Sequence, residues 1–97
     1  MPWTKDILLT RHAEQRSQQR GIRAEAMEVL LIHGASTISR GREVVYMDQS
    51  ARRRARTALG RTGYAQIERA LDAYLVVGDD GMIVTCAHRL KRKLRVA

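Results

Sequence analysis

Phenylalanine is absent from this 97-residue chain, and its aromatics are limited to Trp3, Tyr46, Tyr64 and Tyr74. A core must therefore be assembled mostly from Leu, Ile, Val, Met and Ala. A chain of this length buries roughly two thirds of its unfolded surface, enough for one modest core. Cysteine occurs once, at Cys86, which leaves no internal disulfide framework. A zinc site would have to combine that thiol with the scattered His33 or His88 at no ligand-type spacing, so no metal is expected, and no other cofactor. No apolar run approaches the length of a membrane span. The start, "MPWTKDILLT", lacks the apolar stretch of a signal peptide. A cytoplasmic location without a membrane partner is expected.

Negative charge is also scarce. Ten acidic residues face eighteen basic ones, for a net charge of +8, and fifteen of the basic residues are Arg. Such a balance attracts polyanions, RNA or DNA first, with acidic membranes or an acidic protein behind them. Arg also suits forked recognition of phosphate better than Lys does. A GC-rich coding bias would equally produce Arg over Lys.

No linker or repeat is visible, so one domain over residues 1–97 is expected, with 1–6 as a leading arm and 90–97 as a basic tail. Thr10 is a fair N-cap and Gly21 a fair stop, which predicts a helix from Arg11 to Arg20. A second helix is expected over 24–33, with Met27, Val29, Leu30, Leu31 and Ile32 as its apolar face and Gly34 as its end. "STISRGREVVYMD" predicts a hairpin with strands near 36–39 and 42–48 around the Arg40–Gly41 turn. "SARRRARTALG" reads as a helix capped by Ser50 and stopped by Gly60, with Ala51, Ala55, Ala58 and Leu59 as a narrow stripe. "YAQIERALDAY" reads as a short helix or turn. Two β-branched runs flank Gly78-Asp79-Asp80-Gly81 and predict a closing hairpin. The order implies an α+β domain: a small antiparallel sheet with helices packed on one side.

The predicted first helix is anomalous, because Ala13 is the one apolar residue between Thr10 and Arg20. A helix without an apolar stripe has little packing to hold it. His12, Arg16 and Arg20 recur every four residues, which drift by about 40° per step and share roughly 80° of one face. Gln19 lies inside that arc. The face joins two guanidinium groups to one imidazole able to move a proton near neutral pH. Two readings compete here: a phosphate-directed surface, or a solvated face whose Arg side chains pair with acids such as Glu14 or Glu25.

"RHAEQRSQQRGI" resembles the His-Ala-x-x-Arg-x-x-x-Arg-Gly-Ile signature of a bacterial family, domain of unknown function 4258. The similarity extends through "MEVLL" and resumes at "LVVGDDGMIVTCAHR", covering about half of the chain. Arg23 departs from that family's Ser or Thr, and the segment from Ser50 to Asp72 is longer and more helical than a minimal toxin's sheet region. The family in turn resembles RelE- and ParE-type toxins and small metal-free ribonucleases. The resemblance implies a RelE-like fold and RNA cleavage; an acidic antitoxin-type protein is a candidate partner for the basic face.

A metal-free ribonuclease needs a base, an acid for the leaving oxygen, and cations for the phosphorane. His12 is the candidate base or acid, with Arg16 and Arg20 on the phosphate. His88 is the candidate second proton-transfer group, beside Arg89, and Thr85 would orient the phosphate. A thiol–imidazole pair of Cys86 and His88 is a minor alternative, because the two share a strand face. Tyr46 and Tyr74 could stack on bases or simply pack half-buried on their strands. A non-catalytic nucleic-acid-binding module, or a basic protein docking an acidic partner, would account for the same Arg row without any need for the imidazole.

Overall fold

A computed structural model describes residues 8–89. The expected leading arm 1–6, Ile7 and the basic tail 90–97 lie outside the described residues. Helix α1 (Arg11–Arg20) begins where Thr10 accepts the Ala13 N–H on its side-chain oxygen at 3.1 Å. It ends at Gly21, which adopts the left-handed conformation at φ 65°, so that the Ile22 N–H returns to the Ser17 carbonyl at 2.9 Å. Helix α2 (Ala24–His33) has Arg23 at its N-cap position with no side-chain cap bond, as a residue that offers only donors requires. Its apolar face is narrower than its sequence suggests. Ala26, Met27, Val29 and Leu30 are buried, whereas Leu31 and Ile32 are 39% and 62% exposed.

Strands β1 (Ala35–Ser39) and β2 (Arg42–Tyr46) form the expected hairpin. Its two turn residues both have positive φ, 54° at Arg40 and 77° at Gly41, the combination that matches the natural strand twist. Strand β2 stops two residues short of expectation because Asp48 is committed elsewhere. Its carboxylate accepts the Ala51 N–H at 2.7 Å and caps α3 (Gln49–Ile67), so the cap is Asp48 and not Ser50. Asp48→Ala is therefore expected to cost about 1 kcal/mol, and Ser50→Ala less than about 0.5 kcal/mol; urea unfolding of both variants checks the assignment.

Gly60 interrupts α3 without ending it. At φ 79° and ψ 167° it breaks the helical path, and the helix resumes to Ile67. Of the expected stripe, Ala51 and Ala55 are buried but Ala58 and Leu59 are exposed; past the break, Tyr64 and Ile67 take over the burial. A 3-10 turn over Glu68–Leu71 leads into β3 (Ala73–Val77), and the Gly78–Gly81 turn leads into β4 (Ile83–His88).

The four strands pair in the order β1-β2-β3-β4, antiparallel throughout. Register divides their side chains between two faces. Val45, Leu75 and Cys86 align across three strands and join Ala13, Leu30, Ala51 and Tyr64 in one buried cluster. Two cross-strand rows lie on the opposite face: Ala35–Tyr46–Tyr74–Ala87 and Thr37–Val44–Val76–Thr85. The fold is thus α+β, an antiparallel sheet with its helices on one side. Among the described residues no helix is long and apolar enough to cross a membrane.

Candidate nucleic-acid interface

Helix α1 solves its lack of an apolar stripe with small residues. Ala13 is fully buried and Ser17 is 8% exposed, one turn apart, and they form the contact with β4. Ser17 satisfies its hydroxyl locally by donating to the Glu14 carbonyl at 2.8 Å. The Cys86 thiol donates to the Ala13 carbonyl at 3.8 Å, which shows how near the helix backbone lies to the strand. Residues 8–10 anchor the N-terminal end. Ile83 N–H donates to the Leu8 carbonyl at 2.8 Å and Thr10 N–H to the Ile83 carbonyl at 3.0 Å. At the other end His88 bonds the Arg20 carbonyl, so α1 runs parallel to β4 along its whole length.

This seating presents the cationic row beside the helix–strand contact. His12, Arg20 and Gln19 are exposed and Arg16 is half-buried. Arg16 Nε donates to His12 Nε2 at 3.4 Å, a long bond between two exposed-side groups of the row. Neither carboxylate considered as a partner from the sequence neutralises the row. Glu25 pairs with Arg23 at 3.7 Å, and among the described residues no acidic side chain lies within ion-pair distance of Arg16 or Arg20. Mutual repulsion of such a pair costs a few tenths of a kcal/mol on an exposed helix. Packing of Ala13 and Ser17 has to offset it.

The remaining candidates divide between the two faces of the sheet. His88 shares the α1 side. A carbonyl can only accept, so His88 Nε2 is the donor to Arg20, and it satisfies one of the last carbonyls of the helix. His12 lies eight helical steps earlier, about 12 Å along the axis. The structure therefore sets the two imidazoles at opposite ends of α1. Thr85 and Arg89 lie on the face opposite the described helices: Arg89 donates to the Met47 carbonyl at 2.8 Å and stacks on the Tyr46 ring at 5.3 Å.

Cys86 and His88 share a strand face, but both point their polar atoms at α1 carbonyls rather than at each other. Burial pushes the Cys86 thiol above its ordinary range, and the nearby charges of Arg20 and Arg16 oppose that shift only in part. A buried thiol held protonated is a poor nucleophile. Among the described residues no group of three or more His, Cys, Asp or Glu side chains could hold a metal ion.

The Arg89–Tyr46 stack escaped sequence reasoning. The two residues are 43 positions apart, and only strand register brings them together. Compared with protein-family models, curated proteins and solved structures, the chain matches none.

Proposed function

We propose that this protein binds RNA through the cationic row of α1, with Arg16 and Arg20 on phosphates and His12 and Gln19 beside them. The observation that carries the reading is the row itself: two guanidinium groups held on one helix face, with no described carboxylate to neutralise them. Guanidinium forks match phosphate oxygens, and the net charge of +8 draws a polyanion toward them. The cytoplasm is the compartment this reading requires.

Metal-independent cleavage of the bound RNA is the second reading, favoured by the Arg16–His12 hydrogen bond that sets an imidazole within the row. Binding is preferred because cleavage needs a base and an acid within about 3 Å of two oxygens on one phosphorus. His12 and His88 do not converge in that way. An acidic protein on the same face is the remaining alternative.

The test is a labelled RNA incubated with the protein in EDTA, with His12→Ala and a matched DNA alongside, read for binding by anisotropy and for cutting on a gel. Salt-dependent binding without cutting, nearly unchanged in His12→Ala, is the expected result. Cutting that disappears with His12 would move the second reading into first place. Absence of RNA binding at low salt would overturn both and direct attention to an acidic protein.

A further inference from the structure

The sheet has two edges, and the described chain protects one of them. At β4, Leu8 and Thr10 bond the backbone of Ile83, and α1 lies along the strand. Strand β1 has β2 on one side, and among the described residues no strand pairs with its other side. Leu8 bonds β4 and Arg89 follows it, so both ends of the described chain lie about 14 Å from β1, at three strand spacings.

Proteins blunt an open edge with a charge, a proline or a bulge. The five residues of β1 read ASTIS, with neither charge nor proline, and they pair with β2 in unbroken register. Among the described residues no helix covers the strand. Ser36 and Ile38 point to the helix side, in register with Val45 and Glu43, yet both are exposed, Ile38 by 66%. A hollow of about 380 Å³ opens beside them, lined also by Val77, Gly78 and Asp79.

Ladder hydrogen bonds alternate along a strand. Across the two-residue turn, Ser39 and Arg42 form the hydrogen-bonded pair, so Thr37 and Ala35 also aim their N–H and C=O groups at β2. Those of Ser36 and Ile38 point outward.

A second copy of β1 fits this edge. Antiparallel pairing about a twofold axis at Thr37 sets Ser36 opposite the partner's Ile38, and Ile38 opposite the partner's Ser36. Each pair exchanges two hydrogen bonds, which uses every outward group of the two residues. A twofold contact brings identical surfaces together, and the net charge of +8 opposes that over most of the molecule. An uncharged strand is where two copies meet without repulsion. Arg40 falls opposite the partner's Gly34, so the cations of the two turns stay at opposite ends of the seam.

We infer that the protein forms a twofold dimer through β1, joining two four-stranded sheets into one of eight. The helices of both copies then lie on one face, with the two α1 rows at the far ends of the sheet. The inference does not depend on what α1 binds. The rival interface is the apolar groove between α2 and α3, where Ile32 and Leu59 are exposed.

The experiment is sedimentation of the full chain over a range of concentrations, without nucleic acid, for wild type, Ile38→Pro, Thr37→Lys and Leu59→Lys. Thermal melts report the fold of each variant. Proline at 38 removes an outward N–H that the monomer does not use. Lysine at 37 sets like charges directly opposite across the axis. Wild type is expected to dimerise. Ile38→Pro should weaken the dimer about thirtyfold and Thr37→Lys about fivefold, with Leu59→Lys unchanged. Amide exchange at Ser36 and Ile38 in wild type should be slow at high concentration and quicken on dilution, a readout that needs no variant. Wild type that is monomeric at every concentration would overturn the inference, and slow exchange of those amides in that monomer would give the edge to the chain's own residues. Dimers that persist in folded Ile38→Pro and Thr37→Lys would overturn it as well, and loss in Leu59→Lys alone would move the interface to the groove.

Discussion

Gly34→Ala is expected to lower the melting temperature by about 10–20 °C, the equivalent of roughly 3 kcal/mol in a domain of this size. Gly34 joins α2 to β1 and has an ordinary backbone, φ −69° and ψ 160°, so the requirement for glycine is not conformational. It is spatial. A Cβ there would fall onto the Leu30 carbonyl oxygen and lie 2.8 Å from Val45 Cγ1 and 3.1 Å from the Tyr46 oxygen. Two of those three atoms are backbone and cannot rotate away. The Leu30 carbonyl is also held by the Gly34 N–H at 2.8 Å, so relief would loosen the last turn of α2 or the β2 strand behind it. Gly21 is the useful contrast: φ is 65°, but a Cβ would meet nothing within 4 Å. Gly21→Ala should cost only the strain of a left-handed alanine, about 1–2 kcal/mol. Circular dichroism melts of both variants decide the matter. A Gly34→Ala midpoint no lower than that of Gly21→Ala would show that the α2–β1 junction yields more easily than its contacts imply.

The double variant Arg16→Ala/Arg20→Ala should lose about a hundredfold in RNA affinity at low salt, as expected when two charge-assisted contacts are each worth about 1.5 kcal/mol. The slope of log K against log salt should become shallower by about 1.4, since each phosphate contact on a single strand contributes about 0.7. Stability should change little, because Arg20 is exposed and neither side chain is paired with a described acid. Arg53→Ala is the matched control: an exposed arginine on α3, away from the row. If Arg53→Ala weakens binding as much as one member of the row does, the attraction is diffuse charge and α1 has no special part in it.

Both α1 ends were legible because their signals are local. Thr10 reaches an N–H three residues away, and Gly21 reaches carbonyls a few residues back. The row of His12, Arg16 and Arg20 follows from the helical period alone. The same locality explains the errors. Asp48 and Ser50 are both good caps, and nothing within a few residues says which one the helix will use; the end of β2 decides it. Gly60 signals a break, but whether the chain resumes as helix depends on the burial of Tyr64 and Ile67 beyond it. Leu31 and Ile32 belong to an apolar run, yet a ten-residue helix can turn only one arc toward the sheet.

The amino-acid sequence by itself determined α1, α2 and the four strands to within a few residues, the sharp turns, the basic character and the composition of the row on α1. These depend on side chains within a few positions of one another. Only the tertiary structure decided that α1 lies on β4, that His12 and His88 stand at its opposite ends, and that Tyr46, Tyr74 and Arg89 share the sheet face opposite the described helices. Those placements come from strand register, which is set by pairing between distant segments; a shift of one residue would send every strand side chain to the other face.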